Sequence, residues 1–463
     1  MDLDEKGWVR SLEPGCWAET LVLTIRGGRY PGGAYTVLYD GEGTLAFGGP
    51  VQVESEAPGR IVLQVTPQQG EAIFIKIMTT NPENYLRNIR VILPGFEENY
   101  AEQLFDPIFL ERWKGMAVLR FMDWGHTNNS PLSEWSDRPT LDKAVWTGRK
   151  GIPVEVMIEL SNRLKIEPWF CIPHQATDDF VRKFAELVKE KLDPSLRVHL
   201  EYSNEVWNNM FEQARWAERK AKELGLGPPD RPWEGRAEFY AKRAVEIFKI
   251  WEDVFGGKER LVRHLAWQSS SRVDWTGSKL LAHTQPGEVD ALSIAPYLGM
   301  NIPANSDNPE RLTAEKVAAM SVEEILDYVE KEALPKSIEE IQRHKGVADR
   351  YGVLLTAYEG GQHLVGVSGG ENNEEMTKKF HEANRHPRMG EIYTKYFDAW
   401  KTAGGDVFCV FASVGLWNKW GSWGLAEFYD EQPASVPKYK ATLEWAKGVG
   451  QPVTLNLSLP ATE

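Results

Sequence analysis

Glu205 and Glu359 are the residues of this chain whose types and surroundings best suit chemistry. Each carboxylate follows a short apolar run of strand type, 197–204 and 353–359. A carboxyl group can donate a proton, and an ionised carboxylate can attack an electrophilic carbon. Retaining glycoside hydrolysis requires such a pair, because one acid protonates the leaving oxygen while the other attacks the anomeric carbon. The alternative for Glu205 is an ordinary surface glutamate after a strand.

Two further residues could support an ionised Glu359. Arg120 lies late in the apolar run 116–122, and a buried arginine is costly unless it is paired. We therefore expect Arg120 to pair with an active-site carboxylate, with a structural salt bridge elsewhere as the alternative. Tyr297 ends the run 290–297, where its hydroxyl could donate to Glu359 or could simply pack at the strand end.

Asn204 and Glu201 belong to the same segment as Glu205. Asn204 could bind a substrate hydroxyl group whose contact strengthens in the transition state. Glu201 lies four residues before Glu205, and therefore on the same side of a strand. We expect it to be a buried supporting acid that pairs with Arg120 or another donor.

Histidines and tryptophans complete the candidate site. His174 follows a predicted strand and could bind substrate or orient a carboxylate, although a structural histidine is the alternative; His126 is a weaker candidate of the same kind. Trp417, Trp420 and Trp423 recur at three-residue steps in a glycine-containing loop, and they could form a sugar platform or a packing stripe. Trp207 could serve a neighbouring sugar subsite, since an indole offers an apolar face with a polar edge.

The elements that must position these residues alternate between strand and helix. Helical spacing is found at 180–191, 237–254 and 323–345. Such alternation predicts an α/β fold, and eight units favour a (β/α)8 TIM barrel over an open sheet, with the site at the C-terminal ends of the strands. The eight candidate strands are 89–94, 116–122, 167–173, 197–204, 261–267, 290–297, 353–359 and 406–412.

The first part of the chain has a different pattern. Short β-rich runs separated by glycine and proline clusters predict a β-sandwich accessory domain over 1–87, which could bind carbohydrate or brace the barrel. The alternating residues of 450–463 could return to it as an added strand. The catalytic barrel would then occupy 88–449.

The overall composition of the chain argues against some classes of binding partner. The 463-residue chain has a formal net charge of −14, which disfavours nucleic acid, and no apolar run long enough to insert in a membrane. The three cysteines form no disulfide framework, and neither metal-ligand spacing nor a cofactor motif is present. The first residues lack a signal-peptide pattern. We expect a secreted protein whose signal peptide is absent from this sequence, with a cytoplasmic location as the alternative.

A family resemblance rests on these residues together. The segment 200–205, which ends in Asn204 and Glu205, resembles the Asn-Glu motif of clan A glycoside hydrolases, the retaining (β/α)8 barrels that include family 5 cellulases and mannanases. The resemblance implies an acid/base at Glu205 and a nucleophile at Glu359, and it extends to Arg120, Tyr297 and a tryptophan after strand eight. The chain looks like a divergent branch of the clan, since Val206 and Ala295 stand where the family 5 pattern has proline and histidine.

The resemblance implies a retaining, cofactor-independent hydrolase whose substrate is a β-linked polysaccharide such as a β-1,4-glucan or a mannan. We expect it to be endo-acting. One alternative is a non-catalytic carbohydrate-binding protein on a barrel scaffold. A second is an unrelated metal-dependent barrel hydrolase.

Overall fold

The computed structural model describes residues 1–67, 72–270 and 273–458. The chain divides into two compact units. Unit 1 comprises Met1–Pro107 and Pro139–Gly148, and unit 2 comprises Ile108–Arg138 and Arg149–Glu463. Unit 1 is therefore discontinuous in sequence, because a ten-residue segment from beyond residue 138 completes it.

The described part of unit 1 is built from nine strands in small antiparallel sheets. β3, β8 and β5 form one sheet, β6, β7, β4 and β9 form another, and β1 pairs with β2. The core residues alternate along β4 and β7, so that one face of their sheet supplies the core: Tyr35 and Val37 from β4, and Ile61, Leu63 and Val65 from β7. The strands are β1 Asp2–Leu3, β2 Val9–Ser11, β3 Ala18–Val22, β4 Gly33–Asp40, β5 Gly43–Gly48, β6 Val51–Ala57, β7 Arg60–Val65, β8 Ile73–Thr80 and β9 Arg87–Ile92.

Two expectations about the ends of the units are wrong. The predicted first barrel strand, 89–94, is β9, which pairs antiparallel with β4 and places Val91 opposite Val37. A half-apolar strand fits either kind of sheet, so its pattern did not reveal its partner. The predicted added strand also fails, since 450–458 belong to unit 2 and form no strand, while 459–463 lie outside the described residues.

Unit 2 contains a parallel sheet with helices between its strands. Within the described residues its order is β10-β11-β12-β13-β14-β16, and each neighbouring pair is parallel. Six of the predicted strands are thereby confirmed. These strands are β10 Val118–Arg120, β11 Glu167–Ile172, β12 Val198–Tyr202, β13 Leu261–Ala266, β14 Ala291–Ile294 and β16 Leu354–Ala357, and the others of unit 2 are β15 Leu298–Pro303 and β17 Gln362–Val367.

The predicted strand 406–412 forms only an isolated parallel bridge, between Ala357 and Phe408. Backbone hydrogen bonds nevertheless run along it, because Ala357 N donates to Val407 O and Cys409 N donates to Ala357 O, each at 2.9 Å. The segment thus continues the sheet beside β16.

Helices cover the sequence between the strands. The three predicted helical stretches correspond to α3, to α5 and to α8 with α9, which a π-helical turn at Val329–Ala333 joins. No helix of the described residues has both the length and the apolarity to cross a membrane. The helices are α1 Pro107–Trp113, α2 Val154–Leu164, α3 Asp178–Lys191, α4 Glu212–Glu223, α5 Pro232–Phe255, α6 Val273–Lys279, α7 Ala314–Ala319, α8 Val322–Tyr328, α9 Leu334–Tyr351, α10 Glu374–Arg385, α11 Pro387–Thr402 and α12 Pro437–Gly448.

A second, two-stranded parallel sheet follows directly after two candidate site residues. β15 begins one residue after Tyr297, β17 begins three residues after Glu359, and Leu298 pairs with Gln362. Leu298 N also donates to Gly361 O at 2.8 Å. This pairing, which the sequence did not reveal, holds the segments that carry Tyr297 and Glu359 side by side.

A buried chain of hydrogen bonds crosses the parallel sheet. His199 Nε2 lies 3.0 Å from Glu167 Oε2, and His199 Nδ1 lies 2.9 Å from His264 Nε2. His264 Nδ1 lies 2.9 Å from the Ser293 hydroxyl and 3.2 Å from that of Thr356. Burial lowers the pKa of both histidines, so each is neutral. In the consistent assignment each imidazole donates through Nε2 and accepts through Nδ1, so that every donor in the series points toward Glu167.

Candidate active site

The candidate residues meet because parallel strands end at the same edge of a sheet. Arg120 is the last residue of β10, Glu205 lies three residues beyond β12, and Glu359 lies two residues beyond β16. Tyr297 lies three residues beyond β14. Side chains at the C-terminal ends of parallel strands line the customary binding edge of α/β folds.

Arg120 is the centre of the arrangement. Its Nη1 donates to Glu359 Oε1 at 2.8 Å, its Nη2 donates to Asn204 Oδ1 at 2.8 Å, and its Nε and Nη2 donate to Glu201 Oε2 at 3.0 and 2.9 Å. The Arg120 side chain is 6% exposed and that of Glu201 is fully buried. The predicted pairing of Arg120 with Glu359 and Glu201 is therefore present, and it offsets the cost of burying the charge.

Glu201 is held from a second direction by β11. Trp169 Nε1 donates to Glu201 Oε2 at 2.9 Å, and Cys171 Sγ lies 3.5 Å from the same oxygen. Trp169 in turn stacks on the His264 ring, with centroids 3.7 Å apart. Glu201 thus has a fixed orientation from which it aligns Arg120.

Glu359 receives hydrogen bonds on both carboxylate oxygens. Arg120 reaches Oε1, and the Tyr297 hydroxyl donates to Oε2 at 3.0 Å, as the sequence suggested. The residue is 6% exposed. A cation and a hydroxyl donor both favour the ionised form of the carboxyl group.

Glu205 has a more open position and neutral partners. It is partly exposed, Asn208 Nδ2 donates to its Oε2 at 2.9 Å, and the Tyr358 hydroxyl donates to its Oε1 at 3.3 Å. Its φ of 42° and the φ of 61° at Ser203 lie in the left-handed region, which is uncommon for residues with a side chain. The chain turns sharply here, and this turn ends the extended run of β12.

The two carboxyl groups differ in how readily they ionise. Burial raises the pKa of Glu205, and hydrogen bonds from Asn208 and Tyr358 oppose this rise only in part. Burial also raises the pKa of Glu359, Arg120 opposes it, and the Glu205 charge adds to it. Two negative charges at this pair are therefore disfavoured. Burial raises the pKa of Glu359 to about 8, yet the contacts favour ionisation there rather than at Glu205, because the Arg120 cation bonds Glu359 whereas Glu205 has only neutral donors.

Asn204 lies between Arg120 and a polar loop that sequence reasoning did not assign. Its Oδ1 accepts from Arg120, and its Nδ2 donates to Asn128 Oδ1 at 3.0 Å. Gln213, which is fully buried on α4, donates to Asn128 Oδ1 at 2.6 Å and to Asn204 O at 2.9 Å. The asparagine-rich sequence that follows β10 was the available signal for Asn128.

The tryptophan expected beneath the site is not Trp417. Trp417 is 1% exposed, its Nε1 donates to Gly424 O at 3.1 Å, and Arg385 and Lys438 lie over its ring. It cannot present a face to a sugar, and the packing interpretation is correct. Trp420 is 61% exposed, with Lys419 Nζ 4.9 Å from its ring centroid, and its role stays a prediction.

Trp423, the third indole of that series, packs beside Tyr297, whose hydroxyl bonds Glu359. Its ring lies 6.3 Å from that of Tyr297 and 4.7 Å from that of His363, which itself lies 5.0 Å from Tyr297 in an edge-to-face arrangement. The carbonyl of Ser422 accepts from Gln362 Nε2 at 2.8 Å and also from Lys438. The three rings, of Trp423, Tyr297 and His363, form an aromatic cluster next to the Tyr297 hydroxyl.

The remaining predicted residues lie apart from the carboxylates or at their margin. His174 is 3% exposed and packs edge-on against Trp216, and neither ring nitrogen has a hydrogen-bond partner in the part of the chain that is described. Burial lowers its pKa to about 4. It does not orient a carboxylate, and its binding of substrate stays a prediction. His126 is exposed, with a φ of 45°, and Trp207 is partly buried beside Tyr358.

Metal-binding geometry is not found in the described ranges, where no group of three His, Cys, Asp or Glu side chains could hold an ion. The arrangement places two carboxyl groups at one edge of the sheet: Glu205 is partly exposed and accepts hydrogen bonds from neutral groups, whereas Glu359 is buried and bonded by the Arg120 cation.

Comparison with known proteins gives a distant structural likeness. No protein-family model matches the chain, and no curated protein matches its sequence.

Solved structures similar to it include the GH51 arabinofuranosidase from Xanthomonas axonopodis pv. citri, at 12% identity and a TM-score of 0.40, over 66% of this chain and 59% of that one. An endo-1,4-beta-D-mannanase from Thermotoga petrophila RKU-1 matches at 14% identity and a TM-score of 0.35, over 73% of this chain and 93% of that one. A GH5 xyloglucanase from Bacteroides ovatus matches at 11% identity and a TM-score of 0.33, over 93% of this chain and all (100%) of that one. Glycoside hydrolases are thus among the solved structures that this chain resembles.

Proposed function

We propose that this chain is a retaining glycoside hydrolase in which Glu359 is the nucleophile and Glu205 is the acid/base. The observation that carries the proposal is the contrast between the two carboxyl groups. Glu359 accepts hydrogen bonds from Arg120 and Tyr297, whereas Glu205 accepts them from the neutral groups of Asn208 and Tyr358. A pair whose environments favour different protonation states supports a division into acid and nucleophile.

The reaction would proceed in two displacements. Glu359 attacks the anomeric carbon and forms a glycosyl ester, while the proton of Glu205 goes to the departing glycosidic oxygen. Glu205, now ionised, then removes a proton from water, and the water oxygen replaces Glu359 at the anomeric carbon. Both displacements invert, so the product retains the anomeric configuration of the substrate.

We propose a β-linked polysaccharide of the β-1,4-glucan or mannan type as the substrate, cleaved internally. The Asn204–Glu205 motif supports this class by resemblance. The aromatic cluster of Trp423, Tyr297 and His363 supports it physically, because indole and phenol rings offer apolar faces to pyranose rings.

The proposal extends to the architecture and location. Six parallel strands, with a bridge to Phe408, support a (β/α)8 barrel as the catalytic unit. A shared core of the two antiparallel sheets supports an N-terminal β-sandwich as the accessory unit. Secretion stays a prediction.

The test is hydrolysis of a panel of β-glucans, mannans and xylans, with products separated by chromatography and the anomer of the first product identified by NMR. We expect reducing-end release with retained configuration, unchanged by a strong chelator. An inverted first product would contradict the assignment of Glu359 as nucleophile. Binding of glycans without any hydrolysis would favour the carbohydrate-binding alternative, and loss of activity with the chelator would favour a metal-dependent hydrolase.

Two isosteric variants separate the roles. Glu359→Gln should abolish turnover of every substrate. Glu205→Gln should slow natural glycans far more than aryl glycosides with a very good leaving group, because these need no proton in the first step. The matched control is Glu155→Gln, which changes a partly buried carboxylate paired with Arg138 and should retain activity.

A further inference from the structure

Tyr358 is next to one of the two carboxyl residues in sequence and contacts the other in space. It directly precedes Glu359, is fully buried, and donates its hydroxyl to Glu205 Oε1 at 3.3 Å. The Arg120 guanidinium lies over its ring, 5.0 Å from the centroid. The residue beside the proposed nucleophile therefore contacts the proposed acid/base.

The contact is one of only two hydrogen bonds that the Glu205 carboxyl group accepts in the described structure. The other, from Asn208, comes from the same turn as Glu205 and moves with it. Tyr358 is thus the partner that fixes Glu205 relative to the opposite strand. The charged and titratable groups that act on Glu205 or are acted on by it are Arg120 from β10, Glu201 from β12, Tyr297 after β14, and Tyr358 and Glu359 after β16.

We propose that Tyr358 is a positioning residue, whose buried hydroxyl holds the Glu205 carboxyl group in place and favours its ionised form. The catalytic meaning of this role rests on the proposed function, but the contact itself does not. Tyr358 does not transfer the proton, since burial raises the pKa of its hydroxyl well above the usual range.

Two consequences follow from the loss of this hydroxyl. A hydrogen bond donated to a carboxylate stabilises the charged form, so its removal must raise the Glu205 pKa. The carboxyl group would also lose its anchor to the opposite strand and sample other rotamers, which weakens proton transfer at a defined oxygen. A role confined to packing predicts neither consequence, because a phenylalanine keeps the ring.

Tyr358→Phe is therefore the decisive variant. Its first readout does not require activity: the Glu205 carboxyl group is titrated by NMR in glutamate-labelled protein and assigned through the resonance that Glu205→Gln lacks. We expect the Glu205 pKa to rise by about half a unit or more, which corresponds to the loss of a modest hydrogen bond. An unchanged titration in a folded variant would overturn the proposal.

The matched control is Tyr439→Phe. Tyr439 is also fully buried, and its hydroxyl donates to Arg112 O at 3.2 Å in unit 2, so its removal costs a comparable bond. We expect this control to leave the Glu205 titration unchanged. An equal rise in both variants would show a general effect of lost buried hydroxyls and would also overturn the proposal.

The second readout is the pH profile of kcat/KM on a glycan that the wild-type protein hydrolyses. We expect Tyr358→Phe to move the alkaline limb upward with the Glu205 pKa and to lower kcat about tenfold with little change in KM. If the wild-type protein hydrolyses no glycan, the proposed function is wrong, and the NMR titration still tests the role of Tyr358. If Tyr358→Phe is active and neither its titration nor its pH profile shifts, only the inference about Tyr358 is wrong.

Discussion

At the scale of single residues, the guanidinium of Arg120 has more consequence than either carboxylate. It bonds Glu359, Glu201 and Asn204 at once, and its side chain is 6% exposed. Two carboxylates and one amide oxygen replace the water molecules that the buried guanidinium has lost, and they do so with hydrogen bonds of fixed geometry. Its planar fork makes lysine a poor substitute, since an ammonium group cannot hold three partners in this geometry.

Arg120→Ala should cost both stability and activity. The change strands the fully buried Glu201, and breaking a buried ion pair from one side typically costs about 3–5 kcal/mol of unfolding free energy. Denaturant unfolding measures this loss. The control is Arg182→Ala, whose exposed pair with Asp253 should give no measurable change. An Arg120→Ala protein as stable as the control would contradict the described network.

Residue types and spacing were sufficient to predict the central contacts of the site. The cost of burying a charge predicted a carboxylate partner for Arg120. The position of Tyr297 at a strand end predicted its contact with Glu359. Tyr358 was not assigned, because its role depends on which side of a turn its ring occupies. Trp417 was misplaced for the same reason: a three-residue spacing does not specify which indole is buried.

At the scale of secondary-structure elements, the parallel sheet carries polar groups through its interior as well as at its edge. The chain from Glu167 through His199 and His264 to Ser293 and Thr356 links β11, β12, β13, β14 and β16. Every member has a partner, which makes such a network rigid rather than costly. Trp169 stacks on His264 and bonds Glu201, so this network contacts the support of the site.

Glu167→Gln should make the protein less sensitive to acid. Burial opposes ionisation of Glu167, yet hydrogen bonds from His199 and Arg197 lower its pKa from 4.5 to about 2. A lowered pKa contributes stability that is present above pH 4.5 and is lost as the pH falls toward 2, up to about 3 kcal/mol for one group. Unfolding free energies measured across this pH window should fall less steeply in the variant than in the wild type.

The control for acid sensitivity is Glu190→Gln on α3, where the side chain is 71% exposed. It should leave the slope of stability against pH as in the wild type. If the slopes of Glu167→Gln and wild type were identical, Glu167 would not be the acid-sensitive link of the network.

The periodicity of a sequence predicts where strands lie better than it predicts which strands pair. Apolar runs identified β11 to β14 and β16 because nearly all of their residues are buried, on both faces of the sheet, and β10 was identified although its three residues are only partly buried. The same reasoning assigned β9 to the wrong sheet, since a strand's own residues do not name its neighbour. β15 and β17 were missed because they begin one and three residues after Tyr297 and Glu359, where the predicted strands were taken to end.

At the scale of the whole molecule, unit 1 is assembled from two separated pieces of sequence. Lys6 pairs with Asp142 at 2.7 Å, Ala144 N donates to Lys6 O at 2.9 Å, and Lys143 bonds the carbonyl of Glu5. The segment 139–148 therefore depends on residues near the start of the chain for its partners.

A shortened chain that begins at residue 108 should be cleaved rapidly within 139–148, because that segment loses the hydrogen bonds described above. Limited proteolysis followed by mass spectrometry locates the cuts. The full chain should resist cleavage there, and a shortened chain in which a glycine-serine linker replaces 139–148 should resist it as well. Equal protection of 139–148 in the full and shortened chains would contradict its assignment to unit 1.

The wide separation of the partners of Arg120 has a consequence for biosynthesis. Glu201 follows Arg120 by 81 residues and Glu359 follows it by 239. At ribosomal speeds of roughly 5–20 residues per second, the nascent arginine waits on the order of 10–50 s before its second acid has been synthesised. During that interval Glu201 and Asn204 can bond Arg120, but the Nη1 group that Glu359 accepts from must stay hydrated, which opposes full closure of the site around it. The last steps of maturation in the cell are therefore expected to be set by translation past residue 359 rather than by the earliest collapse of the chain.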